Sequence, residues 1–513
     1  ARSLLEAEEG ALVRDWGGRL PIALVYPNTY YVGMSSLGYQ TVYRLLNQFD
    51  DVVCERVFLN LRRRPDVVEP ISVESQRHLR EFPVIAFSVS FELDYANVAR
   101  ILRESGIPVL RRERQGWPLV LAGGAAISAN PVPLAPLMDG AFVGELEECT
   151  EILVGALRSA TWDDSPEALA EVPGLLLPGS DQQLPVRRGW ARDLDAWPTH
   201  TVVHTDFTEF SGMHLVEVAR GCMRGCRFCL AGHIYRPLRE RSAEAVLSMA
   251  REGASGGRTI GLVAPSLSDW KGFRPVLASL VNEGTRVSVS SLRADSVDEE
   301  LLRDLVAAGN DTLTIAPEAG CPRLRQVIGK SLSTEDVLRA AAEADRVGFA
   351  ELKLYFMVGL PTETEDDVKA VAELVQQVRR IFRQRLVVNV ACFIPKANTP
   401  FQWQGMLPLW ELEARLAMVR GLLRGLAVEV RREHPGWARL QAAFGRGDER
   451  IGLALAESRS WTRRGLEEAL ARVGVDIERE VGPRGMDEAL PWEVVESGLP
   501  SGYLERRARI AQQ

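Results

Sequence analysis

Eight residues concentrate the metal-binding capacity of this chain: Cys222-Met223-Arg224-Gly225-Cys226-Arg227-Phe228-Cys229. Three of the seven cysteines stand in this run. Three thiolates this close can ligate three irons of a four-iron cluster. The fourth iron then keeps an open position, as a chemically active metal requires. Gly221 and Gly225 let the backbone wrap tightly, and Arg220, Arg224 and Arg227 would offset an anionic cluster. A zinc site completed by His233 is the competing reading, and the specific spacing speaks against it. Cys54, Cys149, Cys321 and Cys392 show no ligand spacing and read as buried small hydrophobes. A disulfide framework would be spread more evenly and would suit a short secreted chain.

The elements that must hold this loop follow from the rhythm of apolar runs. Across 206–400, strand candidates recur at 213–219, 259–265, 286–293, 312–318, 351–358 and 386–394, with helical stretches between them. Six parallel strands so separated predict an open, partial (β/α)6 barrel. The cysteine loop then sits at the carboxyl end of the first strand. Alternate side chains of a strand share a face. Ser291 and Arg293 therefore face together, as do Thr314 and Glu318. Glu351, Lys353 and Tyr355 alternate with Leu352, Leu354 and Phe356. Polar groups on one face and apolar groups on the other suit a polar lumen with helices outside. Lysine occurs only at 271, 330, 353, 369 and 396. All five fall within 206–400, and Lys353, with Tyr355 on the same strand face, is a catalytic candidate.

Residues 1–150 also alternate strand and helix, with strands at 21–26, 84–88, 118–122 and 141–144, and predict a doubly wound, Rossmann-like domain. Residues 151–205 hold a helix and then Pro166, Pro173, Pro178, Pro185 and Pro198, a pattern expected of a linker. Residues 401–513 read as a mainly helical domain. The expected class is therefore α/β with three domains and a linker.

The 513 residues carry a net charge of −8, which argues against broad nonspecific nucleic-acid binding. No apolar run is long enough to cross a bilayer, so no membrane partner is expected. The first residues lack a secretory pattern, and a cytoplasmic location is expected.

The cysteine spacing, with Phe228 before the last cysteine, resembles the radical S-adenosylmethionine superfamily, and the resemblance spans 206–400. It implies a 4Fe–4S cluster on Cys222, Cys226 and Cys229 that reductively cleaves S-adenosylmethionine. Methionine and a 5′-deoxyadenosyl radical result, and an electron donor such as flavodoxin or ferredoxin is required. It implies that Phe228 lies near adenine and that Arg293 and Glu318 bind the methionine and ribose ends of the cofactor. Gly359-Leu360-Pro361-Thr362-Glu363-Thr364 resembles the fifth-strand turn, with Gly359 approaching adenine through its backbone. Phe393-Ile394-Pro395 resembles the sixth-strand adenine contact. The Gly-Gly-Glu motif of many members is replaced here by Ala264-Pro265-Ser266, leaving Ser266 as the candidate for the cofactor's amino group.

The N-terminal segment resembles the cobalamin-binding domain found ahead of the barrel in many such methyltransferases. That likeness rests on Pro27–Ser35, Ser88-Val89-Ser90, Gly123-Gly124 and Val143-Gly144-Glu145. It implies cobalamin contacts from Tyr30, Tyr31, Met34, Ser35, Ser88, Ser90, Gly123, Gly124, Gly144 and Glu145. The Asp-x-His-x-x-Gly motif that supplies histidine to cobalt is absent. Phe444–Arg450 and Leu490–Glu493 resemble segments near the end of a group of cobalamin-domain radical enzymes. The expected function is cobalamin-dependent methylation of an unactivated carbon. Open alternatives are a radical modification without cobalamin, with RNA as one partner class, and a non-catalytic, metal-stabilised nucleic-acid-binding module. Sulfur insertion is disfavoured, because it usually needs a second cluster.

Overall fold

The central sheet of the N-terminal region grows from short, almost wholly apolar runs whose side chains are buried on both faces, as parallel strands require. The computed structural model describes residues 1–60, 69–114, 116–163 and 165–511. Two compact units emerge. The first comprises residues 1–212, 443–480 and 489–499, and the second comprises 213–442, 481–488 and 500–513.

In the first unit, β1 (Leu20–Tyr26), β2 (Val52–Phe58), β3 (Val84–Ser88), β4 (Leu119–Gly123), β5 (Gly140–Phe142) and β6 (Leu175–Leu176) form one sheet in the order β2-β1-β3-β4-β5-β6. The first five are parallel and β6 is antiparallel to β5. The strand order reverses between β1 and β3, and open α/β sheets bind ligands at the carboxyl ends flanking such a reversal. Strand β2 went unpredicted because Glu55 and Arg56 interrupt its apolar pattern. Both are nevertheless fully buried. Arg56 bonds Glu8 and Glu74 at 2.6 Å each, and Glu55 accepts from Trp16 Nε1 at 2.7 Å. The proline-rich stretch 151–205 is not a free linker. It lies wholly within this unit and contributes the helix Thr150–Trp162 and strand β6.

In the second unit, β7 (Met213–Glu217), β8 (Thr259–Val263) and β9 (Val287–Val289) form a parallel sheet in the order β9-β8-β7. Strands β10 (Thr312–Glu318), β11 (Glu351–Val358), β12 (Arg385–Cys392) and β13 (Val428–Arg432) form a second parallel sheet in chain order. A single bridge, Leu292 to Ile315, joins the two sheets. The six expected strands are all present. The seventh, β13, falls where only helix was expected. It is a charged edge strand, Val428-Glu429-Val430-Arg431-Arg432, and charge on an edge discourages pairing with other chains. The segment 401–513 accordingly divides between the two units rather than forming one helical domain.

The barrel helices start where their sequences say they should. Ser242, Asp298, Ser333 and Thr364 each accept a hydrogen bond from a backbone N–H of the first turn, and the last two complete capping boxes with Asp336 and Asp367. Strand β10 alternates half-buried and buried residues along its whole length. Thr314 stands opposite Lys353 as the period-two reading expects, but the register to β11 shifts between Ile315 and Glu318, which places Glu318 opposite Phe356 and breaks the simple alternation there. Among the described residues, no helix is long and apolar enough to cross a membrane.

Candidate active site

After β7, the pair Ala219–Arg220 runs antiparallel to Arg239–Glu240, so the intervening cysteine loop is closed at its base. Gly221 makes that closure feasible. It has φ +81°, and a Cβ there would lie 2.4 Å from the carbonyl oxygen of Tyr235 and 2.6 Å from that of Pro237. Cys222, Cys226 and Cys229 are all free and half-buried. Burial pushes the Cys226 thiol up, while Lys330 and Arg293 pull it the other way. Burial raises Cys229 to about 11. Iron, which binds thiolates, would reverse that preference. Among the described residues, no three His, Cys, Asp or Glu side chains converge as a single-ion site requires. A four-iron cube takes each thiolate on a separate iron, so its ligands need not converge. The donor set fits the cube.

His233 does not complete a zinc set. It is buried, its Nδ1 lies 2.7 Å from the Cys229 carbonyl oxygen, and burial lowers its pKa to about 4. The three arginines also differ from expectation. Arg220 pairs with Glu217, at 2.9 Å, a carboxylate it shares with Arg241, and Arg224 pairs with Asp269. Among the described residues Arg227 has carbonyl partners alone: it donates to Arg507, Gln326 and Val327.

The strand ends converge on this loop. Phe228 packs against a buried apolar cluster containing Ala319, Leu324, Ile328, Leu360, Phe393 and Phe401. The aromatic before the last cysteine, the fifth-strand turn and the sixth-strand contact are thereby brought to one place. Glu318 ends β10 with φ +68°, and Lys330 Nζ binds its Oε1 at 2.9 Å. Arg293 donates to Asp295 at 2.8 Å and to the carbonyl oxygen of Ser331, next to Lys330, at 2.9 Å. Ser266 donates to Asp269 at 2.7 Å, beside the Arg224 pair. Gly359 has φ +81° and donates its N–H to Glu363 at 2.8 Å. In the second unit the non-glycine residues with positive φ mark three successive strand ends: Glu318 closes β10, and Thr362 and Asn398 follow β11 and β12. Such strain persists where surrounding structure imposes it and clusters at active sites.

Two candidates are placed differently from the rest. Lys353 is tied to Glu351 at 3.0 Å, which also holds Arg385. Tyr355 is 42% exposed and stands directly opposite Asn389 on β12. The Asn389 Nδ2 is buried without a hydrogen-bond partner.

In the first unit, the switch between β1 and β3 is spanned by Asn28, whose Nδ2 donates to Asp94 at 2.8 Å. Tyr31, 47% exposed, donates to Glu209 at 2.7 Å, and Ser35 Oγ donates to the Tyr31 carbonyl oxygen at 2.7 Å. With Val32 and Phe91 it makes an exposed apolar rim at the reversal. Tyr30 and Met34 face the core instead of a ligand: Tyr30 bonds Glu8, and the Met34 sulfur accepts from Arg56 at 3.4 Å. Ser88 is half-buried and Ser90 exposed, with Ser90 hydrogen-bonded to Tyr26. Gly123 is half-buried. Gly124 and Gly144 serve internal packing, since a Cβ would lie 2.5 Å from the Val89 oxygen and 2.1 Å from the Gly189 oxygen. Glu145 is buried and accepts from Ala191 N at 3.0 Å.

Comparison with known proteins settles the family. Residues 216–375 match the sequence family described as radical SAM superfamily, and residues 38–178 match that described as radical SAM proteins, N-terminal. The chain belongs to the radical SAM superfamily. This radical SAM enzyme is 29% identical over 447 residues to an uncharacterized protein of Methanocaldococcus jannaschii, a match covering 86% of the chain and 92% of the relative. It is 26% identical over 266 residues to the ribosomal protein uS12 methylthiotransferase RimO of Acaryochloris marina, covering 45% of the chain and 57% of the relative. A tRNA-2-methylthio-N(6)-dimethylallyladenosine synthase of Acidithiobacillus ferrooxidans is 28% identical over 233 residues, covering 41% and 49%. The enzyme thus spans only about half the length of these last two.

Two solved structures share the fold. One is the radical S-adenosylmethionine methyltransferase TsrM from Kitasatospora setae, solved with cobalamin and a 4Fe–4S cluster bound. Its TM-score is 0.58 at 15% identity, over 89% of this chain and 99% of that one. The other is the cobalamin-dependent S-adenosylmethionine radical enzyme OxsB with aqua-cobalamin bound, with TM-score 0.52 at 16% identity over 72% and 53%.

Several site residues of this radical SAM enzyme escaped the sequence reading. Asp269, Tyr503 and Arg507 contact the cysteine loop or its arginines, and Asp94 braces the switch in the first unit. Lys330 had one signal, the rarity of lysine. The others had none, because their partners lie tens to hundreds of residues away.

Proposed function

We propose that this enzyme methylates a carbon centre, using a 4Fe–4S cluster on Cys222, Cys226 and Cys229, S-adenosylmethionine, and cobalamin bound at the β1/β3 reversal of the first unit. The cluster, when bound, supplies the single electron that splits the sulfonium into methionine and a 5′-deoxyadenosyl radical. The chain's own residues hold and orient. Phe228, Leu360 and Phe393 offer an apolar wall for adenine, and the Gly359 backbone lies at its edge. Glu318, Lys330 and Arg293 present charges of both signs where a zwitterionic amino acid end must be gripped. Ser266 is the nearest counterpart to the missing Gly-Gly-Glu carboxylate. Tyr355 and Asn389 offer a hydroxyl and an amide donor to a substrate in the barrel. Apolar walls exclude water, which protects a radical and strengthens each polar contact.

One observation carries the cobalamin half of the reading. The loops that follow β1 and β3 at the reversal expose Tyr31, Val32 and Phe91, apolar surface suited to a large planar ligand. No histidine stands in the loop 27–36, so a bound cobalt would lack a protein imidazole from that loop. The likeness to TsrM and OxsB supports the same reading. Sulfur insertion, suggested by the names of the methylthiotransferase relatives, finds no second ligand set. Cys54, Cys149 and Cys392 are buried, and the Cys321 thiol is engaged with Asp367 at 2.9 Å.

The test is anoxic reconstitution with iron, sulfide and hydroxocobalamin. Cluster and corrin absorbance retained through desalting, and 5′-deoxyadenosine formed on reduction with S-adenosylmethionine, are the expected results. Protein that releases all its corrin removes the methyl-transfer reading. Protein that forms no 5′-deoxyadenosine removes the radical reading as well.

A further inference from the structure

A cleft of about 650 Å³ opens beside the cysteine loop, within the second unit. Arg224, Arg227, Lys330 and Arg507 line it, against one carboxylate, Asp336. The Asp336 carboxylate is already engaged, capping Ser333 at 2.8 Å and pairing with Arg339 at 3.2 Å. Arg224 and Lys330 have carboxylate partners in Asp269 and Glu318. Arg227 and Arg507 have none within ion-pair distance among the described residues. Arg227 is 5% exposed and spends its donors on backbone carbonyls. Arg507 reaches only the Gly225 carbonyl oxygen, and its Nε is buried without a partner. Two guanidiniums without a carboxylate partner among the described residues therefore line the cleft, Arg227 buried in its wall and Arg507 half-buried, in a chain whose net charge is −8.

Such a cleft focuses potential and draws in an oppositely charged visitor. Arg227 is the immediate neighbour of Cys226 and Arg224 stands two residues before it, so a visitor in the cleft sits against the loop that holds the cluster. We infer that this cleft is the docking site of the reductant, a small acidic one-electron carrier protein. The inference rests on the radical reading above. In each transfer the carrier is oxidised by one electron and the cluster reduced by one, with no bond made or broken. The charge excess favours a carrier over the substrate, because the cleft is lined by residues of 224–227, 322–336 and Arg507, with none from β11 or β12.

Gln326 and Ser331 are exposed and line the cleft without side-chain partners. The variant Q326E adds a negative charge there. S-adenosylmethionine cleavage by reconstituted enzyme is driven either by a reduced bacterial flavodoxin or by titanium(III) citrate. For the variant, the KM for flavodoxin should rise at least tenfold, with the titanium-driven rate within twofold of the parent. The parent's flavodoxin KM should rise with salt, and the variant's should rise less steeply. No titanium-driven cleavage by the parent defeats the radical reading itself. Titanium-driven cleavage with an unchanged flavodoxin KM in the variant overturns the docking site alone. Loss of bulk tRNA binding in the variant with an unchanged flavodoxin KM also overturns it and assigns the cleft to nucleic acid.

Discussion

The guanidinium of Arg507 donates to the carbonyl oxygen of Gly225 at 2.7 Å, tying the last helix of the chain to the middle of the cysteine loop. The return contact is equally direct: Arg227 Nε donates to the carbonyl oxygen of Arg507 at 2.9 Å. Four residues earlier, the Tyr503 hydroxyl accepts from Arg236 at 2.8 Å, and the same guanidinium lies 5.1 Å from the Tyr503 ring centroid. The helix Tyr503–Ile510 thus braces the loop at two points. A loop that must hold an inorganic cluster benefits from such bracing, because ordering it beforehand lowers the entropic cost of ligation.

Loss of the Arg507 contact should loosen the cluster. A charged donor to a backbone carbonyl is worth about 1.5–3 kcal/mol. Arg507→Ala should therefore bleach about tenfold faster than the parent in a strong iron chelator, with Arg507→Lys between the two. Absorbance of reconstituted protein against time measures this. Equal bleaching rates would show that the helix plays no part in holding the loop.

The cysteines should divide cleanly. Cys226→Ala should remove nearly all iron from reconstituted protein and abolish 5′-deoxyadenosine formation. Cys321→Ala and Cys392→Ala should keep iron at the parental level, because those thiols lie outside the loop. Iron analysis per chain decides the matter.

The Glu318–Lys330 pair should govern cofactor affinity without touching the cluster. Glu318→Gln leaves the Lys330 ammonium without its counter-charge and removes a carboxylate from the barrel rim. We expect about a tenfold weaker Kd for S-adenosylmethionine, on the order of 1.4 kcal/mol, with unchanged iron content. Equilibrium binding to reconstituted enzyme tests it.

Asp94 makes the first unit's stability depend on pH. Burial raises its pKa from the ordinary 3.8 to about 6, against the opposing bonds from Asn28 and Asn97. A carboxyl raised on folding contributes stability that is full below about pH 4 and is lost as pH climbs through about 6. The loss amounts to at most about 3 kcal/mol. Asp94→Asn can still accept from both asparagines and carries no charge. It should raise Tm at pH 7.5 and leave it unchanged at pH 4, as read by thermal denaturation at the two values.

The sequence made the barrel legible and left its bracing hidden. Strands β7 to β12 could be read because their apolar and polar residues alternate or run together as buried strands must. The cysteine loop could be read because its ligands are local. Strand β2 was illegible, since Glu55 and Arg56 look like loop residues until Glu8, Trp16 and Glu74 are known to meet them. Strand β13 was masked by its charge and by the helix ahead of it. Gly124 and Gly144 were visible as special positions, but their reason, the close passage of Val89 and Gly189, depends on chain contacts no local pattern encodes. Arg507 lies 282 residues from Gly225, and no spacing rule reaches that far.

The order of synthesis meets an awkward geometry here. The first unit includes residues 443–480 and 489–499, and the second includes residues 500–513. Neither can be completed while the ribosome is still making the middle of the chain, although domains usually fold as they emerge. The cysteines leave the ribosome long before the helix that braces them. Metal delivered early would meet a half-built socket open to oxygen and chelators, so loading is best timed after residues 503–510 have emerged and packed.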